Sequence, residues 1–302
     1  MKNSSIEWTD HTFSPWRGCT KVSEACRNCY AETMSKRNHQ ILGEWGKNGT
    51  RPVAAESYWR QPLKWNHVAE IVEERHRVFC GSLMDVFEGS DTMPNEAWGK
   101  VELARRRLFL KVIPNTPLLD WLLLTKRPEN IMPTLWRALD PDHEDNDWNA
   151  AAEPHGLSAF ELKDLYPNVW IGTTVEDQKT ADERIPHLLN TPAAVRFLSV
   201  EPLLGEINLQ LDSRNDTGRW DSQGNELPLR EIVWIIVGTE SGTKRRPAKL
   251  EWIESIVDQC KSVGVPVFVK QIELNGKVEK DIEKFPSHLQ VREFPEVSNE
   301  QT

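Results

Sequence analysis

The sequence predicts an α/β fold, a (β/α) barrel of parallel strands, whether closed or incomplete. Three observations lead there: strand-sized apolar runs alternate with helical segments, the strongest run is continuously apolar and branched, and run after run ends in polar residues. Alternating strands and helices favour a parallel sheet, whose strands are covered on both faces and so lose the period-two alternation of half-exposed strands. The run Ile232-Val233-Trp234-Ile235-Ile236-Val237 has that character. A chain of 302 residues with 38% hydrophobic content can bury its core as one domain spanning 1–302.

In chain order, an irregular strand is expected before Cys19, followed by strands over 78–83, 121–125, 168–174, 196–200, 232–238 and 266–270. A short helix over 30–38 follows the cysteine-rich stretch. Pro94 opens a longer helix, with Leu103, Phe109 and Leu110 as its expected apolar face, and Pro128-Glu129 opens another. The clearest helix covers 251–263: Ile253, Ile256, Val257 and Cys260 fall on one stripe, and Gly264 ends it. Two segments read as surface insertions, an acidic one at 140–165 and a polar one at 208–230 with Gly218 and Gly224 as turn residues. The tail from about 278 is charged and weakly patterned.

Charge and hydropathy narrow the function classes. The longest apolar runs, 121–124 and 232–237, are strand-sized, and the opening Met1-Lys2-Asn3-Ser4-Ser5 lacks the apolar core of a signal peptide. The expectation is a soluble cytoplasmic protein with no membrane partner. A formal charge of -9 argues against a general nucleic-acid coat, which needs a basic face. Residues 1–150 are nearly neutral, with 20 Lys and Arg against 21 Asp and Glu, so the acidity sits in the remainder, at 17 against 25.

Three of the five cysteines, Cys19, Cys26 and Cys29, fall within eleven residues in a C-x6-C-x2-C-Y spacing. Clustering of this kind reads as metal ligation in a reducing compartment rather than as a disulfide framework. Three thiolates on one loop can converge on one centre. A structural zinc site normally takes four protein ligands, so zinc would need His11 or Asp10 to complete the set; an iron-sulfur cluster held by three cysteines leaves one iron open. Cys80 lies in a strand and Cys260 on a helix stripe, where core thiols are expected. Trp8 and Trp16 flank the loop and are expected to shield a cluster.

In barrels of parallel strands the site forms at the carboxyl ends of the strands. Those ends supply Ser82 and Asp85, then Thr125, Lys126 and Arg127, then Thr173, Thr174 and Glu176, then Ser199 and Glu201, then Glu240, and finally Lys270 and Gln271. Solubility requires no such register, so a binding rim is expected. The competing structural reading pairs Glu201 and Glu240 with Lys126 or Arg127 across the barrel mouth. Arg105-Arg106-Arg107 reads as a solvated helix face, whereas Lys244-Arg245-Arg246 reads equally well as surface or as a grip on nucleic-acid backbone.

The cysteine loop with its trailing tyrosine resembles the cluster loop of the radical S-adenosyl-L-methionine (SAM) enzymes. Together with Ile6-Glu7-Trp8-Thr9-Asp10, Leu123-Leu124-Thr125-Lys126-Arg127-Pro128, Arg196-Phe197-Leu198-Ser199-Val200-Glu201-Pro202-Leu203 and Val237-Gly238-Thr239-Glu240-Ser241-Gly242, it more closely resembles an uncharacterised phage and bacterial family with a three-cysteine motif. The first resemblance implies a TIM-like fold and a [4Fe-4S] cluster on Cys19, Cys26 and Cys29. It further implies SAM held by groups drawn from Ser82, Asp85, Thr125, Lys126, Arg127, Glu176, Glu201 and Glu240, and an electron donor. The implied activity is reductive cleavage of SAM to modify or repair a substrate, with nucleic acid or a nucleotide favoured, alone or with a partner protein. The superfamily's usual spacing is C-x3-C-x2-C with an aromatic before the third cysteine; here six residues separate the first pair and Asn28 precedes Cys29. The alternative from a different class is a noncatalytic zinc-binding protein.

Overall fold

The structure, a computed structural model, describes residues 4–139, 166–211 and 232–296. It is an α/β fold with eight strands hydrogen-bonded in chain order: β1 (His11–Phe13), β2 (His76–Cys80), β3 (Leu119–Thr125), β4 (Val169–Thr174), β5 (Val195–Val200), β6 (Ile232–Gly238), β7 (Val267–Leu274) and β8 (Lys277–Glu279). The β1/β2, β2/β3, β5/β6 and β6/β7 pairs are parallel, and β7/β8 is antiparallel. The helices are α1 (Tyr30–Arg37), α2 (His39–Leu42), α3 (Glu56–Trp59), α4 (Gln61–Val72), α5 (Asn95–Arg107), α6 (Ile131–Leu139), α7 (Gln178–Leu189) and α8 (Leu250–Val263). The chain divides into two compact units, Met1–Gly172 with Thr191–Ala194, and Thr173–Asn190 with Val195–Thr302. The expected insertion at 140–165, most of that at 208–230 and the last residues of the tail lie outside the described residues.

In the first unit an aromatic cluster fixes the start of the sheet. Phe13 at the end of β1 stacks on Tyr58 at 5.0 Å and meets Trp59, Trp65 and Trp121 edge-on. Offset and edge-on rings of this kind add specificity to apolar burial. The strand expected at 78–83 ends earlier, at Cys80. Gly81 takes a φ of +109°, which ends the pleat and releases Ser82, Met84 and Asp85 into a loop above the strand tip. Cys80 is fully buried, as a core thiol should be.

Helix α5 corrects two expectations. Leu103 is 71% exposed and Leu110 is exposed too, while Trp98, Val101, Ala104 and Arg105 face inward. Arg105 is therefore not on a solvated face. Its guanidinium donates to the carbonyls of Val86 and Glu88 at 2.9 Å each, pairs with Glu102, and lies 5.5 Å and 5.3 Å from the rings of Trp16 and Trp98. Burial, then the like charge of Arg137, lowers its pKa to about 9. A single turn of π-helix, Leu108–Val112, then resets the phase so that Leu108, Phe109 and Val112 are buried.

In the second unit α8 behaves as its stripe predicts: Ile253, Ile256, Val257 and Cys260 are buried, α8 packs on β6 and β7, and Gly264 closes it with φ +73°. Helix α7 starts with a reciprocal capping box between Asp177 and Thr180. Strand β7 outruns its expected end by four residues and folds back at Asn275-Gly276, both at positive φ, into β8. The charged tail packs against the sheet over its described residues. Leu289 is fully buried, the Val269 N–H donates to the Val291 carbonyl, and the Trp234 indole N–H donates to the Glu293 carbonyl.

Candidate cysteine-loop site

Strand β1 delivers the chain to the cysteine loop, and Gly18 makes the turn. Its φ is +104°, and a Cβ at that position would lie 2.5 Å from the Thr50 carbonyl oxygen. Only glycine meets both demands. The Gly18 N–H then donates to the Leu83 carbonyl at 3.0 Å, while the Tyr30 hydroxyl donates to the Ser82 carbonyl at 2.5 Å, so both ends of the loop are tied to the segment after β2. Between them Glu24–Cys26 forms a 3-10 turn, and Cys29 occupies the residue before the first turn of α1. All three cysteines are free of disulfides and half-buried as residues, and the Cys19 sulfur itself is buried.

Beneath Cys19 lies a buried ionic network. Asp85 accepts from the Thr125 hydroxyl at 2.8 Å, from the N–H groups of Phe87 and Lys126 at 3.0 and 3.2 Å, and from Arg127 at 2.9 Å. Arg127 also donates to the Thr20 carbonyl at 2.6 Å and lies 3.7 Å from the Cys19 sulfur. Glu88 accepts from the Thr20 N–H at 2.9 Å and from two nitrogens of Arg51 at 2.9 and 2.7 Å. The Arg51 guanidinium is also 3.0 Å from the Thr20 hydroxyl. Thr20 is thereby gripped through its N–H, carbonyl and hydroxyl, and Cys19 with it.

The charges around the loop decide how the Cys19 thiol behaves. Burial, reinforced by Glu88, pushes the Cys19 thiol up to about 12, with Arg127 pulling the other way. For Arg127, burial opposes the charge, but Asp85, Cys19 and Glu88 together outweigh it and raise its pKa. The surroundings therefore favour the protonated form of the Cys19 thiol, and a metal ligating that sulfur would have to displace the proton.

Among the described residues no group of three His, Cys, Asp or Glu side chains is arranged to hold a metal ion. The donor set itself fits a soft metal centre: three reduced thiols on one loop, with a buried guanidinium beside one sulfur to balance the negative charge of thiolates. The residues named as zinc completers are engaged at the start of β1. The His11 ring is 3.1 Å from His76 and stacked on Trp65 at 4.4 Å, and Asp10 accepts from the Arg77 N–H at 2.8 Å. Trp8 and Trp16 are core residues, 3% and 0% exposed.

Of the predicted site residues in the first unit, Cys19, Asp85, Thr125 and Arg127 meet side chain to side chain, Lys126 joins through its backbone N–H, and Ser82 contributes its carbonyl to Tyr30. Arg51, Glu88 and Thr20 were missed. Nothing in the sequence marks them, since an isolated arginine after a threonine and a glutamate before a glycine have no periodic or spacing signature.

In the second unit the carboxylates at the strand tips have cations of that unit beside them. Glu201 pairs with Lys270 at 2.5 Å, Glu240 with Arg246 at 2.5 Å, and Glu176 with Arg184 at 2.7 Å. The Arg246 N–H also donates to Glu240 at 2.7 Å, which folds the basic loop back on its own strand tip. The tips of β4, β6 and β7 are linked here. The Leu204 N–H donates to the Glu176 carbonyl and the Leu203 N–H to the Gly238 carbonyl, while the Gln271 amide donates to the Thr239 carbonyl. Among the described residues, buried oxygens near these tips with no hydrogen-bond partner include Glu176 Oε1, Thr239 Oγ1 and Gln271 Oε1. Unmet buried acceptors are costly, and they suit a ligand bearing N–H or O–H groups.

Among the described residues no helix is long and apolar enough to cross a membrane. No curated protein and no solved structure matches the chain. One family profile does, over residues 3–297, nearly the full length; its description is "Protein of unknown function (DUF5131)". The chain, with its three-cysteine loop clasped by a buried arginine and carboxylate network, belongs to the DUF5131 family.

Proposed function

We propose that this protein is a radical SAM-like iron-sulfur enzyme on an incomplete (β/α) barrel, in which Cys19, Cys26 and Cys29 hold a [4Fe-4S] cluster. Its substrate is a nucleic acid or nucleotide that it modifies or repairs. When bound, such a cluster supplies the electron for reductive cleavage of SAM. The protein's own residues supply position and charge. Arg127 and Arg51, balanced by Asp85 and Glu88, hold Thr20 and therefore Cys19, so one ligand is set before the metal arrives. In the second unit, Glu176, Thr239 and Gln271 offer unmet acceptors to the amino or hydroxyl groups of a small ligand.

The observation that carries this reading is the pairing of three free thiols on one loop with a guanidinium 3.7 Å from the first of them. Protein purified without oxygen should be brown, contain iron and sulfide, and release 5'-deoxyadenosine when given SAM and dithionite. Cys26→Ala should abolish the cluster and Cys260→Ala should leave it intact. A colourless protein with one zinc would overturn the proposal in favour of a noncatalytic zinc site, and a full cluster in Cys26→Ala would overturn the ligand assignment.

A further inference from the structure

Arg127 has a donor to spare. Its side chain is 3% exposed; Nη1 reaches Asp85 and the Cys19 sulfur, and Nη2 reaches the Thr20 carbonyl. The third nitrogen, Nε, is buried with no hydrogen-bond partner. A buried N–H left unmet is costly, and around the rest of this network the donors are met. The guanidinium cannot swing away to find water, because Asp85 holds it and is itself fixed by Thr125, Phe87 and Lys126. The arginine is also set from below: its backbone N–H donates to the Thr125 hydroxyl at 2.9 Å, and Pro128 starts the next turn.

A buried arginine whose Nη1 is fixed 3.7 Å from the Cys19 sulfur is placed to act on that sulfur and on whatever it ligates. Resting on the cluster reading above, we propose that Arg127 is the positioning residue of this centre: it presets Cys19 and donates hydrogen bonds to the sulfur atoms of the bound cluster. It does not serve to bind a substrate phosphate or carboxylate. Hydrogen bonds to cluster sulfur stabilise the more negative, reduced state, so they raise the reduction potential. The fork geometry matters as well as the charge, which is why lysine is not an equivalent replacement.

The test compares anaerobically purified wild type with Arg127→Lys, Arg127→Gln and Asp85→Asn, reading iron and sulfide per chain, the midpoint potential of the cluster, and thermal unfolding as a check on the fold. The expected result is a midpoint shifted to more negative values in each Arg127 variant that loads. Arg127→Gln should shift furthest and lose part of its iron, whereas Asp85→Asn, which removes a negative charge beside the guanidinium, should shift the midpoint to more positive values. A wild-type potential and full iron content in both Arg127 variants would overturn the proposal. If the Arg127 variants fail to fold, Asp85→Asn decides, and an unchanged midpoint in it overturns the proposal. If the wild type takes up cobalt(II) or zinc without sulfide, the cluster reading falls while the role of Arg127 is still decided by cobalt(II) affinity. A loss of about tenfold in Arg127→Lys supports it, and equal affinity overturns it. A wild type that binds no metal overturns both.

Discussion

Arg51 and Glu88 form an ion pair at 2.7 Å with both side chains fully buried, and the same carboxylate takes the Thr20 N–H. The pair holds the first cysteine's neighbour in place, and its carboxylate also acts on the cysteine thiol through its charge. Removing one partner of such a pair leaves an uncompensated charge, so Glu88→Gln should cost about 3–5 kcal/mol in urea unfolding. It should also weaken metal uptake by the loop. A loss under about 1 kcal/mol would mean the pair is replaceable by water.

The two faces of α5 make a second contrast. Arg105→Met strips the hydrogen bonds from the carbonyls of Val86 and Glu88 and leaves Glu102 without its closest cation, and should cost about 3 kcal/mol. Leu103→Ala, at a position 71% exposed, should stay within about 0.5 kcal/mol. Equal losses from the two changes would refute the assigned burial.

Gly18→Ala tests the turn that launches the loop. The added methyl meets the Thr50 carbonyl at 2.5 Å on a backbone at φ +104°, so a loss of about 1–3 kcal/mol is expected. Gly242 has a similar φ of +100° but nothing within 4 Å of an added Cβ, so Gly242→Ala should cost less in the same assay.

Acid should loosen the cysteine loop through Glu32. This carboxylate bridges Lys21 in the loop, at 2.7 Å, and Lys36 on α1, at 2.9 Å. Partial burial works against its charge, but the two lysines outweigh it and hold its pKa below the ordinary 4.5. A depressed carboxylate stabilises above its unfolded pKa and loses that contribution as pH falls through the folded one. Glu32→Gln should therefore be less stable than wild type by about 0.5 kcal/mol near neutral pH, a small difference because solvent screens the pair. The two curves should merge as pH drops below 4.5. A gap that persists at pH 3 would show that packing, not charge, separates them.

How much was legible in advance varied with how local the cause was. Helix α8 was read nearly to the residue because its stripe and its closing glycine are both encoded within fifteen positions. Strand β6 was read to its ends because an unbroken apolar run suits a doubly covered strand. Strand β2 was placed late because Leu83 and Met84 resume the apolar count, while Gly81 had already turned the chain. Strand β8 was missed although Asn275-Gly276 is a hairpin signal, because the residues beyond it are charged. Arg105 was misread for a related reason: triplet charge suggests a wet face, yet a helix carries only part of any triplet outward.

The sequence by itself determined the alternation of strands and helices, the clustering of three thiols on one loop, and the polar character of the strand tips, because each is a matter of spacing along the chain. Only the tertiary structure decided that Arg127 serves Cys19 and Asp85, that Arg51 and Glu88 close the network, and that Glu201 and Glu240 take Lys270 and Arg246 as partners. A charged side chain chooses among partners by distance and desolvation. Cys19 and Arg127 stand 108 residues apart in sequence and 3.7 Å apart in space, a separation that no local pattern records.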